Sequence, residues 1–215
     1  MKRMVFMAVL AVLALVFVSG AYADTISIGL QEGGGITTVA SGPSPQSFTG
    51  SFGTFSLVNV NGTGTFSLSL PTFGSNTLQV AGSGGTLNVF VTDQGITSPT
   101  GLTDFLSAFT ANLLPLGWTV TESTYIDTSN GLFGGTLLNS SPTFTTTGSA
   151  TGTNSASTSG TYSATELFVI TANATPGQTN DTIQLTAVPE PGTLALFGSG
   201  LFSLAGLMRR KLLQA

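Results

Sequence analysis

Glu122 and Asp127 bracket Tyr125 in the stretch TESTYIDTSNG, the densest collection of polar reactive groups in the middle of the chain. Two carboxyls held about 5–9 Å apart, one with a raised pKa, are the apparatus of glycoside hydrolysis. The spacing here fixes no such distance, so the pair is a carboxylate candidate and nothing more specific. The same stretch suits a hard cation better. Asp127-Thr128-Ser129-Asn130-Gly131 offers oxygen ligands and a turn glycine, the preference of Ca²⁺, with Asp127 and Asn130 as the candidate ligands. It lacks EF-hand spacing, and Asx-Gly clusters are also ordinary turn chemistry. Carbohydrate binding needs exposed aromatic platforms beside hydrogen-bonding side chains. Trp118 and Tyr125, with Tyr162 further on, are the candidates; the competing expectation is that Trp118 is core.

What is missing narrows the chemistry further. Among 215 residues there is no His and no Cys. That removes the commonest general base, the commonest metal ligand, disulfides, thiolate metal sites and thiol nucleophiles. The five cations are Lys2, Arg3, Arg209, Arg210 and Lys211, and none lies between Ala8 and Met208. Lysine Schiff bases and lysine-held phosphates are excluded with them. Nucleic acid is excluded as a partner, because phosphate binding needs cations that displace counterions. All nine acids lie between Asp24 and Glu190, so the body is expected to carry about nine negative charges with no cation to pair them. A non-enzymatic role without a cofactor, calcium aside, is the expectation that follows.

The cations mark the two ends. Residues 1–23 combine a basic start (Lys2, Arg3), an apolar run from Met4 to Val18 and the small-x-small pattern Ala21-Tyr22-Ala23. These are the three parts of a secretory signal peptide, with signal peptidase cutting after Ala23. At the other end, Pro189-Glu190-Pro191 interrupts any strand or helix. Thr193 to Met208 follows without a charge, about 24 Å long as a helix. That is short for a hydrocarbon core of about 30 Å, though a thin or deformed bilayer accepts it. Arg209-Arg210-Lys211 then forms a basic stop, retained on the cytoplasmic side.

Val188-Pro189-Glu190-Pro191, an apolar helix and a terminal Arg-Arg-Lys together resemble the PEP-CTERM sorting signal. The resemblance spans residues 188–212, and Leu212-Leu213-Gln214-Ala215 makes a slightly longer tail than that family shows. It implies a Gram-negative bacterium that makes exopolysaccharide. The three parts of residues 1–23 already imply Sec export, and the short apolar span with its basic stop implies transient anchoring in the inner membrane. The resemblance also implies processing by an exosortase, a membrane-embedded cysteine transpeptidase that removes the helix and releases or reattaches the body at the cell surface. Pro189, Glu190 and Pro191 map directly onto the motif. A structural or adhesive role in an exopolysaccharide matrix or biofilm is the function that follows. A carbohydrate- or calcium-binding surface module is the alternative, with a carboxylate-dependent glycoside hydrolase behind it.

Residues 24–187 must position whatever the body does. Alternation of period two dominates them. It places Phe66, Leu68 and Leu70 on one face, as it does Leu87, Val89 and Val91, and Ile183 with Leu185. Trp118 to Glu122 continues the pattern, and Leu167 to Ile170, apolar on both faces, reads as a central strand. Asn61-Gly62, between Ser56–Val60 and Thr65–Leu70, predicts a type I′ hairpin turn. Gly33–Gly35 and Gly82–Gly85 predict further turns. Phe105, Leu106, Phe109 and Leu113 follow helical spacing after Thr103 and Asp104, which predicts one short helix ending at Pro115. Residues 145–160 (TTTGSATGTNSASTSG) read as a low-complexity loop or a flat polar edge strand. The sum is an all-β, antiparallel sandwich of jelly-roll or immunoglobulin-like type with one helix, or alternatively a β-helix.

Overall fold

The computed structural model of the chain describes residues 24–65, 71–188 and Ser199. The expected signal helix, the expected strand beyond Thr65, and the expected sorting motif, membrane helix and basic stop lie outside the described residues, Ser199 apart. The described residues 24–65 and 71–188 form two antiparallel sheets and no helix. The strands are β1 (Thr25–Gln31), β2 (Thr37–Pro43), β3 (Gln46–Phe52), β4 (Phe55–Gly64), β5 (Thr72–Gly82), β6 (Gly85–Ile96), β7 (Gly101–Leu113), β8 (Thr119–Asp127), β9 (Thr136–Ser140), β10 (Gly148–Thr158), β11 (Tyr162–Ala172) and β12 (Gly177–Val188). One sheet runs β2-β1-β6-β11-β8-β9 and the other β10-β7-β12-β5-β4-β3.

Alternation explains the sandwich. Every inward row contributes to one apolar layer between the sheets: Ile26, Ile28 and Leu30 from β1; Leu87, Val89 and Val91 from β6; Phe168 and Ile170 from β11; Phe105 and Phe109 from β7; Ile183 and Leu185 from β12. Each such side chain removed from water contributes about 1.5–3 kcal/mol before entropy is charged against it. β11 lies between β6 and β8, the central position its two-sided apolarity requires.

Two expectations need correction, and one open alternative is resolved. The segment 102–113 is a strand, not a helix: Thr103, Phe105, Ser107, Phe109 and Ala111 point inward, while Leu102 and Leu106 are exposed. Small polar Ser107 takes an inward place because its hydroxyl shares a hydrogen bond with that of Thr124 at 2.8 Å, and pairing with β10 and β12 outweighs the helical spacing. Asn61-Gly62 makes no turn, since β4 runs straight through it. Gly62 is there for clearance: a Cβ would come within 2.5 Å of Val91 Cγ1 on the opposing sheet. The tight turns fall instead at Gly53 and at Gly84–Gly85, which have the positive φ such corners demand. Residues 148–158 within the low-complexity segment are the edge strand β10, paired to β7 along its whole length without a bulge.

The strands run alternately up and down, so connections collect at two poles. At one pole the Ser44 amide donates to the Asp24 carbonyl (3.2 Å), the Gly64 amide to Ser44 Oγ (2.9 Å), and the Ala187 amide to the Pro71 carbonyl (3.1 Å). The start of β1 and the end of β12 therefore leave the body at the same pole. At the other, Thr54 joins Glu32 to the Gly84 carbonyl, and Asn173 Nδ2 donates to the Leu116 carbonyl.

Candidate functional site

The residues singled out in TESTYIDTSNG are separated by the pleat of β8. Glu122 faces the interior and is wholly buried, whereas Asp127, at the strand's end, has the opposite parity and points outward. They do not form the carboxylate pair that glycoside hydrolysis requires. Tyr125 is half-buried on the outer face. Trp118 is not a platform: it is 0% exposed, and its Nε1 donates to the Thr175 carbonyl at 3.3 Å. Tyr162 is equally buried. Of the aromatic residues expected for sugar stacking, Trp118 and Tyr162 are spent on the core and Tyr125 alone stays at the outer face.

The candidate calcium loop has its own internal logic. Asp127 Oδ1 accepts from the Ser129 amide (2.8 Å) and hydroxyl (2.6 Å), and Oδ2 from the Gly131 amide (3.2 Å). The Ser129 hydroxyl and amide hold the Asp127 carboxyl below its ordinary range, against a small opposing effect of burial. Asn130 adopts φ 59°, a left-handed conformation that Asn tolerates. Its side-chain oxygen accepts from the Gly95 amide at 2.9 Å, away from Asp127. A cation at Asp127 must displace donors already seated on its oxygens, and Asn130 is committed elsewhere. The loop's visible work is packing: Phe133 meets Phe90 at 5.9 Å between ring centres and covers Gly29, where a Cβ would meet its ring.

The second strong polar feature was not legible as a site. Four carboxyls line the interior: Asp93 on β6, Glu122 on β8, Glu166 on β11 and Asp181 on β12, each 0% exposed. Glu166 escapes notice because it stands in the apolar stretch TYSATELFVIT. The alternation Tyr162-Ala164-Glu166-Phe168-Ile170 is the signal that places it on the buried face. Nearby, Asn139 Nδ2 donates to Ser107 Oγ (2.9 Å) and to the Gly152 carbonyl (3.2 Å), latching β9 to β10 across the sheets. An open groove of about 450 Å³ runs along this flank, lined by Ile126, Leu137, Leu138, Asn154 and Ala156 among others.

β12 delivers the chain to the segment that follows. It pairs with β5 as far as Thr186 and with β7 as far as Val188, the residue before the Pro-Glu-Pro. The sequence profile of the PEP-CTERM protein-sorting motif matches residues 187–211. The chain carries a PEP-CTERM sorting signal. Such a signal marks a protein for export and exosortase-directed sorting to the cell surface, and in this PEP-CTERM chain it starts on the last residues of a central strand. No curated protein matches the PEP-CTERM chain in sequence. Among solved structures it is similar to the enzymatically active domain of bacteriophage CBA120 tailspike protein 4 (13% identity, TM-score 0.34, covering 76% of this chain and 19% of that one). It is also similar to a carbohydrate-binding module of the β-sandwich superfamily (11%, 0.29, 77% and 84%) and to a protein of infectious bursal disease virus strain Gx (14%, 0.31, 80% and 53%). The chain spans about a fifth of the length of the tailspike domain.

Proposed function

We propose that this is a non-enzymatic surface or matrix protein, a spacer or adhesin within an exopolysaccharide layer. Residues 1–23 direct Sec export, and signal peptidase cuts after Ala23. Residues 193–208, stopped by Arg209-Arg210-Lys211, tether the body transiently to the inner membrane. Exosortase then acts at Pro189–Gly192, and the body reaches the cell surface. The observation that carries this reading is the sorting motif at 187–211, which begins on the last two residues of β12. The outward rows support the matrix role. Thr151, Thr153, Ser155 and Ser157 on β10, and Thr182, Gln184 and Thr186 on β12, offer hydroxyls and amides to a hydrated polymer in place of charge.

Processing removes every Lys and Arg, so the mature body contains no trypsin site. Mass spectrometry of trypsin-treated surface material is expected to show one species running from Asp24 to Pro189–Gly192. Material that still carries Arg209-Arg210-Lys211, or that is recovered intact from the cytosol, overturns the reading.

A further inference from the structure

The interior acids are arranged, not scattered. Strand register sets Asp93 of β6 opposite Ala164 of β11, Glu166 of β11 opposite both Val91 of β6 and Thr124 of β8, and Glu122 of β8 opposite Phe168 of β11. One strand across and one inward position along at each step, Asp93, Glu166 and Glu122 form a diagonal on the inner face of the first sheet. Glu166 reaches across the gap to accept the Ser75 hydroxyl from β5. Asp181 of β12 faces Glu122 from the second sheet and accepts the Thr179 hydroxyl at 2.8 Å. Both oxygens of Asp93 and Oε1 of Glu166 have no hydrogen bond, and those of Glu122 have none well formed, only the Thr110 amide nearby. Asp93 lies against Gly64, where a Cβ would collide with its carboxyl, and its charged or titratable neighbours are Asp24, the buried Tyr162 hydroxyl and Glu166. β1, β4, β5, β7 and β10 send no titratable side chain inward. The body has no Lys, Arg or His, and no three acids among the described residues close into a cage for a metal ion.

An ionised carboxylate in an apolar interior is unsustainable without a partner; it neutralises instead. With no cation in the body, the proton is the only counter-ion the chain can recruit. Burial first, and the Asp24 charge second, push Asp93 up to about 8. Burial and then Asp181 push Glu122 up to about 9, with the Thr110 amide opposing. Burial holds Glu166 well above the carboxylate range, with the Ser75 hydroxyl opposing and Glu122 and Asp93 reinforcing. Burial also raises the Tyr162 hydroxyl.

We propose that the Asp93–Glu166–Glu122 diagonal is a pH-sensitive lock, in which the sandwich closes on three neutral carboxylic acids and loosens as its surroundings turn alkaline. The sign follows from linkage. The folded body binds more protons than the unfolded chain, so its stability is full below the ordinary carboxyl pKa near about 4. Stability then falls as pH rises toward about 8 and 9, where Asp93 and Glu122 ionise within the fold. The lock is independent of sorting: it concerns what the body does at its destination, where pH is set by the medium.

The test is urea unfolding of the full chain in detergent with EDTA, followed by Trp118 fluorescence from pH 5 to 9. The unfolding constant is expected to rise by up to about tenfold per pH unit for each ionising acid. The amide variants Asp93→Asn, Glu122→Gln and Glu166→Gln, singly and together, are expected to flatten that slope stepwise, while Asp104→Asn on the outer face leaves it unchanged. Should the combined variant fail to fold, infrared spectroscopy of the unaltered protein decides: a protonated-carboxyl C=O band is expected to persist at pH 7. Stability that is constant or rising over this range overturns the lock, as does absence of that band. Calcium that stabilises the protein at pH 8, with the gain lost in Glu122→Gln, also overturns it, because the counter-ion would then be a metal.

Discussion

Trp118 illustrates how a residue's role is decided by what stands behind it. Its indole closes the pole remote from the chain's exit, against Gly177, with its N–H satisfied by Thr175. Trp118→Ala is expected to cost about 3–5 kcal/mol in urea unfolding, the usual penalty for deleting a buried indole, and a loss below about 1 kcal/mol would return it to the surface. Its burial was one of two readings open in the sequence, because GWTVTE fits a strand with the indole on either face. Asp127 was legible both as a turn residue and as a candidate ligand, since Asx chemistry and calcium chemistry share the same residue types. Glu166 was illegible for a different reason. Hydrophobic patterning treats an acid as outward, and only the parity of its neighbours shows that the strand gives it no choice.

At the scale of the element, β7 and β10 carry the lesson. β7 has enough Leu and Phe to satisfy helical spacing, yet its alternate residues face β8 and the core, a fact contained in its partners rather than in itself. β10 has no apolar row to announce it; its regularity comes from eleven consecutive pairings with β7. By contrast the alternation of β6 and β12, and the two-sided apolarity of Leu167 to Ile170 in β11, were plain from the chain alone. The flank where β9 and β10 meet depends on polar latches, chiefly Asn139 and Asn154, whose amides bond to each other at 3.0 Å. Asn139→Ala leaves Ser107 and the Gly152 carbonyl without that donor and is expected to destabilise by about 1–3 kcal/mol. Amide hydrogen exchange should rise first in β9, five residues long and held to one neighbour, while β11 stays protected. Uniform exchange across the first sheet would show that the latch is not local.

The whole molecule is polar in the geometric sense. The start of β1 and the end of β12 lie at one pole, and the corners Gln31–Ile36, Gly53–Thr54, Ser83–Gly84 and Asn173–Pro176 gather at the other. Its charge is also redistributed. Of the nine acids, four are interior, which leaves Asp24, Glu32, Asp104 and Asp127 as the surface carboxylates of the described body. The nine-fold negative surface expected from composition is therefore roughly halved, a change no residue count could anticipate.

β12 is hydrogen-bonded along both sides and ends where the sorting segment starts. Hold that segment at the cell, seize the opposite pole with a polymer, and tension runs along the strand axis. Every ladder bond to β5 and β7 is then strained together instead of being peeled one at a time. Optical tweezers pulling from Val188 against a handle at Ser83 should record a single high rupture force, well above that for a handle at Leu137, which peels the short edge strand. Built this way, the sandwich resists load best along the axis of the strand that carries the sorting segment.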